Sequence, residues 1–159
     1  MKIEISIPEQ RLTLYGDEGG ILKRYSVSTA KNGAGETRGS FRTPRGKHII
    51  RAKIGAGAPE NTVFVRRRPT GEIYTPALGA QFPQRDWILT RILWLSGCEP
   101  GFNRLGNVDT MRRFIYIHGS PDSVPMGTPG SIGCIRMRNS DLIDLFDRVP
   151  VGTPVEIKG

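Results

Sequence analysis

Polar and apolar residues alternate from Ile3 through Ile5 to Ile7, and again at Leu12 and Leu14 after Pro8-Glu9-Gln10. A period of two places every second side chain on one face, so the chain opens as two half-buried strands joined by a tight turn. Gly19-Gly20 turns it into a third strand, Ile21 to Ser28, and a glycine-rich loop follows from Asn32 to Ser40. Thr43-Pro44-Arg45-Gly46 places proline second and glycine fourth, as a type I turn prefers, and leads into a strand from Lys47 to Ala52. Between Gly55 and Gly79 only short apolar pieces such as Val63-Phe64-Val65 interrupt Gly, Pro, Ala and Arg, which predicts long lid-like connections. The most apolar run, Trp87 to Leu95, fits helix or strand equally well by periodicity. A second run, Phe114 to Ile117, ends on His118-Gly119. Asn139 or Ser140 is placed to cap a short helix with an apolar face of Leu142, Ile143, Leu145, Phe146 and Val149, ended by Pro150 and Gly152. Val151 to Ile157 reads as a turn and a last strand, giving a mainly β chain with one clear helix.

Composition narrows this picture. A chain of 159 residues suits a single domain over 1–159, and 20 glycines with 12 prolines favour short strands and many turns. The N-terminal segment alternates and carries Glu4, so it lacks the continuous apolar region of a secretory signal. Trp87–Leu95 is short and interrupted by Arg91, so no membrane span is expected. The sequence as given therefore predicts a cytoplasmic protein, or a periplasmic one if an export segment precedes it. A net charge of +8 attracts anions, whether nucleic acid, acidic lipid or carboxylate-bearing peptides. The densest basic cluster, Arg66-Arg67-Arg68, has no interleaved aromatics and reads as a solvated turn, so no nucleic-acid partner is expected. A basic binding module without chemistry remains the alternative to an enzyme.

The candidate chemistry rests on two cysteines and two histidines. A Cys98–Cys134 bridge would consume the better-placed thiol, so both are expected free. A zinc site would need Cys98, Cys134, His48 and His118 together without any paired-ligand spacing, and neither metal nor cofactor is expected. His48 lies on a predicted strand without a partner in sequence and reads as structural. His118 ends an apolar run, and a loop bent by Pro121, Pro125, Gly127, Pro129 and Gly130 returns the chain to Ser131-Ile132-Gly133-Cys134-Ile135-Arg136-Met137. Histidine and thiol can therefore meet. A neighbouring imidazolium would lower the thiol from its ordinary value near ~8.5 and make thiolate the nucleophile. Gly133 would let the backbone approach a reacting group, with the amides of Gly133 and Cys134 aimed at an oxyanion. Acyl transfer through a thioester needs these parts, although a buried structural cysteine and a scaffolding histidine fit the same residues.

Those two segments, with Thr43-Pro44-Arg45-Gly46, Leu89-Thr90-Arg91-Ile92-Leu93-Trp94-Leu95 and Asp141 through Val155-Glu156-Ile157, resemble the L,D-transpeptidase catalytic domain family, also called the YkuD domain, in the expected order. The resemblance implies a mixed β-sandwich with a short helix after the cysteine, and it makes Trp87–Leu95 a strand. It implies Cys134 as nucleophile, His118 as its base oriented by the carbonyl of Gly119, and the backbone at Ile132 and Gly133 around the oxyanion. Many members carry histidine where this chain has Ile132, which is expected to alter pocket shape more than mechanism. The implied substrate is the peptidoglycan stem tetrapeptide, attacked at the carbonyl joining a diamino acid to terminal D-alanine, with carbapenems as covalent inhibitors. Ser131, Arg136, Arg91 and Asn103 are the candidate substrate contacts. Arg91 needs a partner, either Asp86, Asp109 or a substrate carboxylate. Arg136 binds a stem-peptide carboxylate or pairs with Asp141 or Asp122. Capture of the acyl-enzyme by water gives an L,D-carboxypeptidase, and capture by an amine gives a cross-link. The missing export signal favours hydrolysis in peptidoglycan recycling.

Overall fold

A computed structural model describes residues 1–159. The alternating N-terminal runs are strands β1 (Lys2–Ser6) and β2 (Arg11–Tyr15), followed by β3 (Ile21–Ser28) and β4 (Gly46–Ile54). A hairpin of β5 (Thr62–Val65) and β6 (Arg68–Ile73) leads to the short helix α1 (Pro76–Gln81) and the long strand β7 (Ile88–Gly97). Strands β8 (Tyr116–Gly119) and β9 (Ile135–Met137), helix α2 (Asn139–Arg148) and β10 (Pro154–Lys158) complete the chain. In space the strands run β4-β10-β1-β2-β3-β9-β8-β7-β5-β6, and β4 also pairs with β7. That extra pairing closes eight strands into a ring, with the β5–β6 hairpin appended to the free part of β7, and leaves the ring without an open edge. The pairing is mixed: β1 runs parallel to β10, and β8 parallel to β9.

Why the ring fills as it does follows from the alternation. Ile3 and Ile5 of β1, Leu12 and Leu14 of β2, Leu93 and Leu95 of β7, Ile135 and Met137 of β9 and Val155 and Ile157 of β10 point into one core, which α2 extends with Leu142, Leu145 and Phe146. Helix α2 packs against β7 and β8. Strand β8 is buried on both faces, since Ile117 joins this core while Tyr116 joins a smaller cluster with Phe64 and Ile92. Trp87–Leu95 is strand from Ile88 onward because it is sandwiched between β4 and β8.

Three local expectations change. Thr43-Pro44-Arg45-Gly46 is not a turn: Thr43 bridges Ala34 in extended conformation, and its hydroxyl is held between the amide of Ala30 (3.0 Å) and the carbonyl of Gly133 (2.9 Å). Residues 55–79 are not a long loop but hold the β5–β6 hairpin and α1, whose start is marked by Thr75 Oγ1 accepting from Leu78 N (3.1 Å) with Pro76 in the first turn. Helix α2 begins at Asn139 without a side-chain cap, because the Asn139 side chain is drawn into the interior instead. His48 is buried, with Nδ1 3.0 Å from the Gly46 carbonyl and Nε2 2.9 Å from Thr110 Oγ1, and burial depresses its pKa to about 4.

Candidate active site

Strand register brings the proposed pair together. Parallel pairing sets His118 opposite Arg136 and Ile117 opposite Ile135, so the odd-numbered residues of both strands face the core while Tyr116 and His118 share the other face with Cys134 and Arg136. Cys134 packs against the small Phe64–Ile92–Tyr116 cluster, one diagonal step from His118. Both cysteines are free, Cys134 half-buried and Cys98 exposed.

Backbone hydrogen bonds hold the cysteine loop from both sides. Ser131 bonds to Thr29 and Lys31 along its backbone, and its hydroxyl accepts from Gly133 N (3.2 Å) and donates to the Cys134 carbonyl (2.5 Å). Gly133 has φ 139°, and a Cβ there would lie 3.1 Å from Ile115 Cδ1, so both conformation and space call for glycine. The engagement of Gly133 N by Ser131 corrects the expected oxyanion pair. The amides that have no partner within the chain are those of Ile132 and Cys134.

The imidazole is fixed by its own strand. His118 Nδ1 lies 2.6 Å from the Gly119 carbonyl, and because a carbonyl only accepts, Nδ1 carries the proton and Nε2 is left as the acceptor. Burial lowers the His118 pKa and keeps the ring neutral; the Asp86 charge opposes this. The thiol is also neutral at rest. Burial raises the Cys134 pKa to about 12, against which the Tyr116 amide, Arg136 and Arg113 act in the opposite direction. Tyr116 N donates to Sγ (3.3 Å) and the thiol donates to the Phe114 carbonyl (3.3 Å) rather than to the imidazole. The expected thiolate–imidazolium pair is therefore absent from the resting site, because desolvation penalises both charges more than their neighbours support them. Alkylation of Cys134 by iodoacetamide should accordingly climb about tenfold per pH unit from pH 7 to 10 without levelling. A plateau setting in near pH 6–7 would show a preformed ion pair instead.

Behind the pair lies a buried polar network that sequence reading assigned to helix capping. Asn139 Oδ1 accepts from Thr90 Oγ1 (2.7 Å), and its Nδ2 donates to Ser120 O and Asn61 Oδ1 (both 3.0 Å). This network presses directly on Gly119, where a Cβ would meet Asn139 Oδ1 at 2.1 Å and the Leu89 carbonyl at 2.6 Å. The signal available in sequence was only that a polar residue opens an amphipathic helix, and that signal also fits a cap.

Cys134 opens into a cavity of about 570 Å³ whose walls include Phe41, Ile88, Phe114, Ile115 and Ile132, together with Arg38, Arg66, Arg67, Arg112, Arg113 and the single acid Asp86. Ile132 is 56% exposed at this mouth. Arg136 pairs with Asp86 (3.4 Å) and donates to the Gly130 carbonyl (3.1 Å), not to Asp141 or Asp122; Asp141 lies 3.9 Å from Arg138 instead. Arg113 is spent on the carbonyls of Gly35, Glu36 and Arg42 and on Ser40, bracing the wall.

Two candidates lie elsewhere. Arg91 is buried with Nη1 donating to the carbonyls of Ala58 and Thr90 (2.7 Å each), it has no carboxylate partner, and its Nε has none of any kind. The expected ion pair with Asp86 or Asp109 is replaced by these carbonyls because Asp86 faces Arg136 and Asp109 caps the 105–112 turn. Asn103 is fully buried, bonding to Arg45 O, Lys47 O and Glu99 N, so it ties two segments of the fold rather than lining the cavity.

Comparison with known proteins agrees with this geometry. The family model "L,D-transpeptidase catalytic domain" matches residues 1–157. Probable L,D-transpeptidase YbiS of Escherichia coli is 46% identical over 108 residues, 65% of this chain and 34% of that protein. A Bacillus subtilis relative with an L,D-transpeptidase name, YqjB, is 31% identical over 133 residues, 84% of this chain and 57% of its own. The chain thus spans about a third to just over half of these relatives. Among solved structures, an L,D-transpeptidase from Mycobacterium smegmatis superposes with TM-score 0.57 at 20% identity, covering 99% of this chain and 58% of that one. L,D-transpeptidase 3 from Mycobacterium tuberculosis, solved with a faropenem-derived adduct, superposes with TM-score 0.55 at 16% identity over 99% and 59%. A family match over residues 1–157, nearly the whole of this chain, makes the chain a member of the L,D-transpeptidase catalytic domain family.

Proposed function

We propose that the protein is a cysteine acyl transferase acting on peptidoglycan stem tetrapeptides, with Cys134 as nucleophile and His118 as base. The observation that carries this reading is a free thiol that opens into an arginine-walled cavity and shares a strand face with a buried imidazole whose Nε2 is unprotonated. His118 Nε2 takes the thiol proton as Sγ turns from the Phe114 carbonyl and bonds to the carbonyl carbon of the diamino acid. The oxygen becomes an oxyanion beside the free amide of Cys134. Its collapse breaks the carbon–nitrogen bond, the proton passes from His118 to the departing D-alanine nitrogen, and a thioester remains. Water, deprotonated by the same imidazole, then releases the tripeptide. An attacking amine is an ammonium ion until it loses a proton, and walls carrying several arginines against one paired aspartate disfavour it, which supports hydrolysis over cross-linking. By likeness to relatives solved with imipenem and with a faropenem-derived adduct, the same sulfur opens a carbapenem ring. Incubation with tetrapeptide and mass analysis of the products is the test: tripeptide plus D-alanine is expected, dimers as the main product would assign cross-linking, and no product at all would remove the proposal.

A further inference from the structure

Between β5 and β6 the chain turns on two residues, Arg66 and Arg67, both with positive φ (50° and 65°), and Val65 pairs with Arg68 across the turn. A two-residue turn of this hand selects Asn-Gly or Gly-Gly, because L side chains avoid the left-handed region. A third such residue, Phe114 (φ 57°), stands against Arg67. All three line the cavity into which Cys134 opens, so side chains that turn chemistry disfavours are gathered at one place.

The Arg67 guanidinium is also positioned. Its carbon lies 4.7 Å from the ring centre of Trp94 and 4.8 Å from that of Phe114, and Nη1 donates to the phenol oxygen of Tyr116 (2.9 Å). Two aromatic faces and one hydroxyl fix the fork, yet no carboxylate in the chain pairs with it, and its Nε and Nη2 donate to nothing in the protein. A half-buried guanidinium, oriented by two rings and a hydroxyl and without a carboxylate partner, is placed to receive an anion through two parallel hydrogen bonds. Tyr116 links that fork to the thiol, holding Arg67 at its phenol end and giving its amide to Sγ at the other. The charge and the sulfur thus stand at opposite ends of one tyrosine, as the far carboxylate and the reacting carbonyl stand at opposite ends of a diamino diacid.

Resting on the acyl-transfer reading above, we infer that Arg67 is a specificity residue that binds the free side-chain carboxylate of the diamino acid being acylated, so that the enzyme selects donor peptides carrying a diamino diacid with that carboxylate unamidated. The test compares two synthetic tetrapeptides that differ only in whether this carboxylate is free or amidated. Wild type should favour the free acid by ~10- to 100-fold in kcat/KM, mainly through KM, the range of a charge-assisted hydrogen bond. Arg67→Gln should shrink that preference to within about twofold, and Arg67→Lys, which keeps the charge and loses the fork, should fall between. No preference in wild type overturns the inference. So does an equal loss on both peptides in Arg67→Gln, which would mean that Arg67 only braces Trp94 and Phe114. Should the Gln variant not fold, the Lys variant supplies the same comparison with a partial fall. If wild type turns over neither peptide, the acyl-transfer reading fails, and calorimetric binding of both peptides to the Cys134→Ala protein decides this one alone. Preference for the free acid that disappears on adding Arg67→Gln upholds it; equal binding, or none, overturns it.

Discussion

Cys134→Ala is expected to abolish the covalent adduct with tetrapeptide or carbapenem and to lower turnover by ~10⁴-fold or more, while tetrapeptide affinity stays within a few fold. His118→Gln should cost about as much, since Nε2 is the acceptor on the reactive face and the resting thiol, raised by burial, supplies almost no thiolate on its own. Groups acting in one proton transfer are not additive, so the double variant should be little worse than either single one. Steady-state kinetics and intact mass on the three variants test this together. An alanine variant within tenfold of wild type would place the chemistry elsewhere, and a double variant losing the product of both factors would mean that the two residues act independently. Cys98→Ser serves as the control, since Cys98 is exposed in the turn after β7 and touches none of the reacting groups.

Gly119→Ala is expected to destabilise the protein by about 3 kcal/mol or more and to inactivate what still folds. The added carbon would meet the Leu89 carbonyl at 2.6 Å and Asn139 Oδ1 at 2.1 Å, with Thr90 Cβ at 3.2 Å. The first of these is backbone of the paired strand, as Leu89 sits opposite Gly119, and cannot rotate away. The second is locked by bonds to Thr90, Asn61 and Ser120. Any relief must push β8 from β7, which displaces the very carbonyl that orients His118. Denaturant melts should show the midpoint falling sharply. A variant as stable as wild type would show that the β7–β8 seam gives way at little cost. By contrast, glycine positions such as Gly57 and Gly127, where nothing lies within 4 Å, constrain the chain through their positive φ alone.

Much of this was legible in the sequence because it depends on local pattern. The period-two runs of β1 and β2, the helix from Asn139 and the His118 and Cys134 segments all announce themselves within a few residues, and the family resemblance supplied the order of the rest. What was not legible depends on partners distant in the chain. Thr43-Pro44-Arg45-Gly46 carries the composition of a turn and is extended only because Gly133, ninety residues later, takes its threonine hydroxyl. Asn139 has the placement of a cap and is claimed by Thr90 and Ser120. Arg66-Arg67-Arg68 carries the composition of a solvated turn because no aromatic is interleaved within it. The aromatics exist, as Trp94 and Phe114, on segments that only the fold brings beside them. Thiol acidity was misjudged for a similar reason: proximity of an imidazole is suggested by sequence, but the burial that outweighs it is not.

The parallel pairing of β1 with β10 bears on how the molecule comes to exist. Ile3 and Ile5 find their neighbours at Val155 and Ile157, so a nascent polypeptide leaving the ribosome carries its first strand half-satisfied until residue 158 has emerged. Assembly of the whole circle must then await the emergence of β10, and contacts of such long sequence separation make slow folding the expectation, with the early strands exposed to misassociation in the interval.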